Sequence, residues 1–165
     1  MQQKKGILIT LGASHHTAPI EIREKFSLSD AELTAAYHQL KAVPGVSEVA
    51  LLSTCNRTEI YAVAADESSI NALEQRFCQL QELSSDAFDR YGFRRHNSEA
   101  VRHLFAVAAG LDSLVVGETE ILGQVKDAYS IAGQRKTVGP LLNRLFQRTF
   151  QAAKWVRTHT SIGRG

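Results

Sequence analysis

Hydrophobic and polar positions change period several times along this chain. Residues 7 to 13, ILITLGA, are a continuous apolar and β-branched run closed by Gly and Ser, the pattern of a buried strand. From Ser29 the period becomes helical: Leu33, Ala36, Tyr37 and Leu40 recur three and four apart, and Glu32 follows Ser29 at capping-box spacing. Pro44-Gly45 ends that helix, because Pro disfavours helix at the residue before it and Gly accepts the turn. Two apolar segments come next, VSEVALLS (46 to 53) and TEIYAVAA (58 to 65), with only Thr54, Cys55, Asn56 and Arg57 between them. So short a gap predicts an antiparallel hairpin with those four residues at its tip. Ile70, Leu73, Phe77 and Leu80 predict a helix over 67–82, and the weak alternation of AFDRYGFRR (87 to 95) predicts a last strand. The order β-α-β-β-α-β is that of a ferredoxin-like split sandwich, an α+β fold with two helices on one face of an antiparallel sheet.

The remainder reads as helical. Asn97 or Ser98 caps a stretch with Val101, Leu104, Phe105 and Ala108 on one face, and Gly110 suits its C-terminal turn. A second helix is expected from about Ile121 to Gln134, and Pro140 opens a third at a position where a first turn tolerates it. In that last helix Leu142, Leu145, Phe146, Phe150, Ala153 and Val156 form an apolar stripe, while Arg144, Arg148, Gln151 and Trp155 share the opposite face. The expectation is one domain over 1–165, with a ferredoxin-like core over about 1–95 and a helical remainder over about 97–160.

Composition narrows the class. With 165 residues, 44% hydrophobic, the chain can bury one core of ordinary size. Three prolines, 11 glycines and no repeat argue against a disordered, collagen-like or solenoid chain. Two cysteines make no disulfide framework, and the opening MQQKKGILIT lacks the long apolar run of a signal peptide, so a reducing cytoplasm is expected. Charges interrupt every stretch that approaches the ~20 apolar residues of a membrane helix. Residues 1 to 125 carry 11 Lys and Arg against 16 Asp and Glu, whereas residues 126 to 165 carry 8 against Asp127 alone. That basic C-terminal quarter fits an anionic partner or a solvated helix face, and its Trp155 suits base stacking or docking on another domain.

Cys55 is the most informative position. At a hairpin tip beside Arg57 its thiol would be accessible and its thiolate favoured, which is what attack on an acyl carbon requires. A free cysteine is also frequently a small buried hydrophobe, and Cys78, within the apolar 70–80 stretch, is read that way. Asn56 either shapes the turn or meets substrate, and Arg57 either solvates the surface or holds a substrate carboxylate bidentately. The six histidines, His15, His16, His38, His96, His103 and His159, show no zinc spacing, so no metal is expected. His15-His16 follows the first strand, so either is a candidate to lie near the site. The segment 110–126, GLDSLVVGETEILGQVK, sets Asp112, Glu118, Glu120 and Gln124 among three glycines, as pocket lining or as helix caps. No G-x-G-x-x-G follows a strand, and Gly163-x-Gly165 lies at the very end, so no dinucleotide fold is read from the sequence.

Three strings in order, GASHHTAPIEIREKF, STCNRTEIY and GLDSLVVGETEILGQVK, resemble the N-terminal catalytic domain of glutamyl-tRNA reductases, over nearly the whole chain. The resemblance implies a ferredoxin-like fold and a Cys55 thiolate that attacks the glutamyl ester of glutamyl-tRNA. The thioester would then be reduced by NADPH to glutamate-1-semialdehyde, towards tetrapyrroles. It implies that Thr54, Asn56 and Arg57 form the substrate loop, with Arg57 on the carboxylate. His103 would serve proton transfer or positioning beside the sulfur, and Ser113, Glu118, Thr119, Glu120 and Gln124 would complete glutamate binding. Many members read Glu-Pro-Gln where this chain has Glu118-Thr119-Glu120. NADPH binding and homodimer formation are implied for domains outside this chain, with glutamate-1-semialdehyde aminomutase as a downstream partner. Two other readings stay open on the residues alone. One is a ferredoxin-like RNA-binding module with inert Cys55, although no aromatic RNP string is present. The other is an acyl transferase or thioesterase built on Cys55 and His103.

Overall fold

The computed structural model describes residues 6–161; the MQQKK lead and Gly163 and Gly165 lie outside that span. Its centre is a four-stranded sheet of β1 (Ile7–Ser14), β2 (Val46–Ser53), β3 (Arg57–Ala64) and β4 (Phe93–His96), ordered β2-β3-β1-β4 with every neighbouring pair antiparallel. The helices are α1 (Ile20–Phe26), α2 (Asp30–Lys41), α3 (Glu67–Leu80), α4 (Ser85–Tyr91), α5 (Ser98–Ala108), α6 (Glu120–Gln134) and α7 (Pro140–His159). The chain is therefore mixed α+β.

Three of the helices begin where the cap residue's side chain supplies a missing hydrogen bond. Ser29 and Glu32 close a reciprocal capping box on α2, and Asp66 and Ser84 accept from the first turns of α3 and α4. Ser84 explains one departure from the expected strand over 87–95. Its cap starts α4, whose helix runs to Tyr91, and only the four residues after Gly92 pair with β1. The seven-residue α1 is likewise a helix that short apolar spacing did not announce.

Every residue of β3 is buried. Side chains alternate across a strand, so both faces of the sheet must be covered. On one face α1, α3 and α4 join through Phe26, Phe77 and Phe88, whose rings lie 6.2 and 6.3 Å from Phe26, and α2 packs on β2 beside them. On the other face Tyr61 of β3 meets Phe146 of α7 at 6.1 Å, and Tyr129 of α6 stacks on Phe146 at 5.1 Å. The helical remainder is thus the second wall of the sheet. Each fully buried aromatic ring contributes about 2 kcal/mol of apolar burial.

Glu48 ties the two halves of the chain together. Its side chain, buried on β2, accepts from the backbone N–H of Gly139 at 2.6 Å, Leu142 at 2.9 Å and Leu141 at 3.3 Å, capping α7 from a distant strand. A carboxylate at a helix N-terminus satisfies orphan donors and meets the positive end of the dipole. We expect Glu48→Ala to lower stability by about 2 kcal/mol, read by urea unfolding; a loss within error would show that α7 docks without this cap.

Candidate active site

Three segments converge at one end of the sheet: the β2–β3 hairpin, the turn after β1, and the loop between α5 and α6. At the hairpin the Thr54 N–H donates to the Arg57 carbonyl at 2.7 Å, and the Thr54 hydroxyl accepts from the Asn56 N–H at 3.2 Å. The tip is therefore Thr54, Cys55 and Asn56, with Cys55 exposed. Arg57, expected at the tip, is instead the first residue of β3 and buried, because its side chain is drawn inward by two carboxylates. The turn after β1 is pinned to the tip by the His15 N–H, which donates to the Asn56 carbonyl at 2.9 Å.

The third segment is closed by a pair of glycines. The Gly117 N–H donates to the Gly110 carbonyl at 2.9 Å, and both residues hold the left-handed backbone, at φ +81° and +84°. A side chain at Gly110 would lie 2.9 Å from the Glu118 carbonyl. Beyond the loop, Glu118 starts α6: its carboxylate accepts from the Ser113 hydroxyl at 3.2 Å and from the N–H groups of Glu120 at 2.7 Å and Ile121 at 3.1 Å. Thr119, at the cap position, makes no side-chain cap bond. Arg157 of α7 holds the same turn by donating to the Glu118 carbonyl at 2.9 Å.

Between the three segments lies a cavity of about 310 Å³. Thr54, Cys55, Asn56 and Arg57 line it on one side, and Ser113, Glu118, Glu120 and Gln124 on the other, joined by His15, Leu114, Val115 and Ile121. Seven of the eight residues named as substrate positions are thus brought to one space with Cys55; Thr119 is beside it and does not line it. Cys78 lies elsewhere, buried in α3, where burial pushes its thiol up from the ordinary value.

His103 is placed differently from the expectation. It does not line the cavity; its Nε2 lies 2.8 Å from Glu59 Oε1 and its ring packs on Phe93 at 5.0 Å. Gly12 of β1 pairs with both Glu59 and Phe93, and a Cβ there would stand 2.9 Å from the Glu59 Cα, so the row has room for no side chain between them.

Sequence reasoning missed Glu59, the centre of this arrangement. It is 0% exposed, yet it accepts from Arg57 Nη1 at 2.7 Å and from the Tyr61 hydroxyl besides its contact with His103. Arg57 Nη2 in turn donates to the carbonyl and carboxylate of Asp112 at 2.9 and 2.8 Å, and His16 lies 3.4 Å from the other Asp112 oxygen. A chain of polar contacts thus runs from His103 through Glu59 and Arg57 to Asp112. The sequence signal was a Glu directly before the apolar run Ile60 to Ala64, a pattern that demands a buried partner. Burial pushes the Glu59 carboxyl up, but His103, Arg57 and Tyr61 outweigh it and hold it at about 2. Burial also opposes the Arg57 charge, and Glu59 with Asp112 more than restores it, raising its pKa. His15 is shifted the other way: burial first, then His16 and Arg57, lower its pKa, and neither ring nitrogen has a hydrogen-bond partner among the described residues.

Glu59 also sets a pH dependence. Its folded pKa lies below the unfolded value of about 4.3, so its stabilisation is complete above that pH and disappears as pH falls towards 2. We expect Glu59→Gln to cost about 3 kcal/mol at neutral pH, because it strips a buried arginine of a partner, and to flatten stability against pH in that acid window; urea titrations at several pH values test both.

A family model described as "Glutamyl-tRNAGlu reductase, N-terminal domain" matches residues 11–160. A glutamyl-tRNA reductase of Marinobacter nauticus is 46% identical over 156 residues, spanning 94% of this chain and 36% of that protein. One from a Picosynechococcus strain is 46% identical over 159 residues, spanning 96% and 37%. Among solved structures, glutamyl-tRNA reductase from Methanopyrus kandleri superposes with a TM-score of 0.75 at 33% identity, covering 94% of this chain and 35% of that one. The chain therefore spans little more than a third of the length of these relatives.

Proposed function

The chain belongs to the family of glutamyl-tRNA reductase N-terminal domains, and on that premise we propose that it forms a glutamyl thioester on Cys55 from glutamyl-tRNA. The observation that carries this reading is the cavity itself: an exposed thiol, an arginine and two carboxylates surround about 310 Å³, a space of amino-acid size. The Cys55 thiolate attacks the ester carbonyl carbon, a carbon–sulfur bond forms, and the bond to the ribose oxygen breaks, releasing tRNA. Thr54 and Asn56 fix the tip that aims the sulfur. The glutamate side-chain carboxylate takes the place of the partly exposed Asp112 carboxylate on Arg57 Nη2, exchanging one charge-assisted bond for another. Glu118, Glu120, Ser113 and Gln124 form the end that suits the α-ammonium, with Thr119 beside them. An acid at position 120 is consistent with this division, since it would repel the carboxylate and attract the ammonium. His103 acts through Glu59, holding Arg57 in place, so in this reading it is a positioning residue.

NADPH would supply the hydride that turns the thioester into glutamate-1-semialdehyde, for tetrapyrrole synthesis. The described residues contain no strand and helix joined by a glycine-rich phosphate turn, so no residue of this chain is assigned to it and no step is derived through it. Without a hydride donor the acyl group passes slowly to water. The strand order β2-β3-β1-β4 fits the ferredoxin-like arrangement. The tRNA backbone fits the exposed basic side of α7, where Arg144, Arg148 and Trp155 line a groove against α5. No helix among the described residues is long and apolar enough to cross a membrane.

Intact-mass measurement after mixing with glutamyl-tRNA tests the reading. We expect a glutamyl adduct on the wild type and none on Cys55→Ser, and iodoacetamide should modify Cys55 well before Cys78. An adduct that survives in Cys55→Ser would remove Cys55 from its role.

A further inference from the structure

Acyl transfer from a ribose ester to a thiol moves one proton twice: off sulfur as it attacks, and onto the ribose oxygen as it leaves. Among the residues lining the Cys55 cavity, few side chains are able to carry it. Arg57 stays charged between Glu59 and Asp112. Both Glu118 oxygens already accept backbone or hydroxyl protons at the start of α6. Glu120 would bring a second negative charge towards the thiolate. His103 faces Glu59 and lies outside the cavity lining.

His15 differs from all of these. It lines the cavity with Cys55, and its own N–H is fixed to the carbonyl of Asn56, the residue next to the sulfur. Its two ring nitrogens are shielded from solvent and have no hydrogen-bond partner among the described residues. A polar group left so costs about 1–3 kcal/mol, which is recovered when a ligand supplies the partner. The residue is tethered through its backbone, so its placement does not depend on the imidazole.

We propose that His15 is the proton carrier of the acyl transfer: its ring takes the proton of the Cys55 thiol as sulfur attacks, and gives it to the ribose oxygen as the carbon–oxygen bond breaks. The proposal rests on the reading of Cys55 as nucleophile. One proton is taken and one returned, and no other reactant is required. Burial first, and then two of its charged neighbours, favour the neutral ring that a base must offer. His16 and Arg57 oppose a positive charge on it, Asp112 favours one, and Glu118 and Glu120 line the same cavity.

The test compares two glutamyl donors on the wild type and on His15→Gln. Glutamyl-tRNA needs a proton on its leaving oxygen, whereas an aryl thioester of glutamate releases a thiolate that needs none. We expect His15→Gln to slow Cys55 acylation by glutamyl-tRNA by ~100-fold and by the aryl thioester only a few-fold at a pH where the thiol is ionised. Added imidazole should restore part of the rate in His15→Ala. Equal losses with both donors, or no loss with either, would overturn the proposal while leaving Cys55 in its role. If the wild type accepts neither donor, the reading of Cys55 fails and the proposal with it.

Discussion

Putting a glutamate on the inward side of the central strand drives a carboxylate into a place with no water, and the rest of the site is arranged around that charge. Glu59 stays ionised because Arg57, Tyr61 and His103 all reach it. Each partner comes from a different requirement of the fold. Arg57 and Tyr61 are two residues away on the same strand and so point the same way. His103 arrives because α5 crosses the row in which Gly12 leaves space between Glu59 and Phe93. Removing the carboxylate would leave a buried guanidinium with only Asp112, itself on a loop. Arg57 thus stands rigidly at the back of the cavity, and a rigid cation is what fixes where a substrate carboxylate and its acyl carbon lie relative to sulfur.

The fold was legible wherever local signals agreed. The Ser29–Glu32 box, Pro44-Gly45, the short gap over 54–57 and the 3.6-residue stripe after Pro140 each marked an element that exists. The last strand expected over 87–95 exists only from Phe93, because the alternation was weak and the Ser84 cap, three residues ahead, decided the first part for helix. The second wall of the sheet was not legible either, since the apolar run from Ile60 to Ala64 of β3 says that both faces are covered and not by what.

In the candidate site, the residues around the thiol were readable as strings, but their connections were not. Cys55, Ser113 and Gln124 come together because the Gly110–Gly117 closure folds the loop back onto the hairpin, and nothing in residue type announces that contact. His103 and His15 exchange their apparent importance for the same reason. The resemblance gives His103 a place beside the sulfur, yet it is satisfied by a carboxylate invisible to spacing, while His15 in the turn has ring nitrogens unpaired among the described residues.

The central claim is that the thiol at this hairpin tip becomes covalently bonded to the carboxyl carbon of an activated glutamate. Magnetic resonance of the acid-quenched protein, after reaction with glutamyl-tRNA labelled at that carbon, addresses it directly. The account predicts a carbonyl resonance in the thioester region that is lost on treatment with hydroxylamine. A label found only as oxygen ester, amide or free glutamate would contradict it.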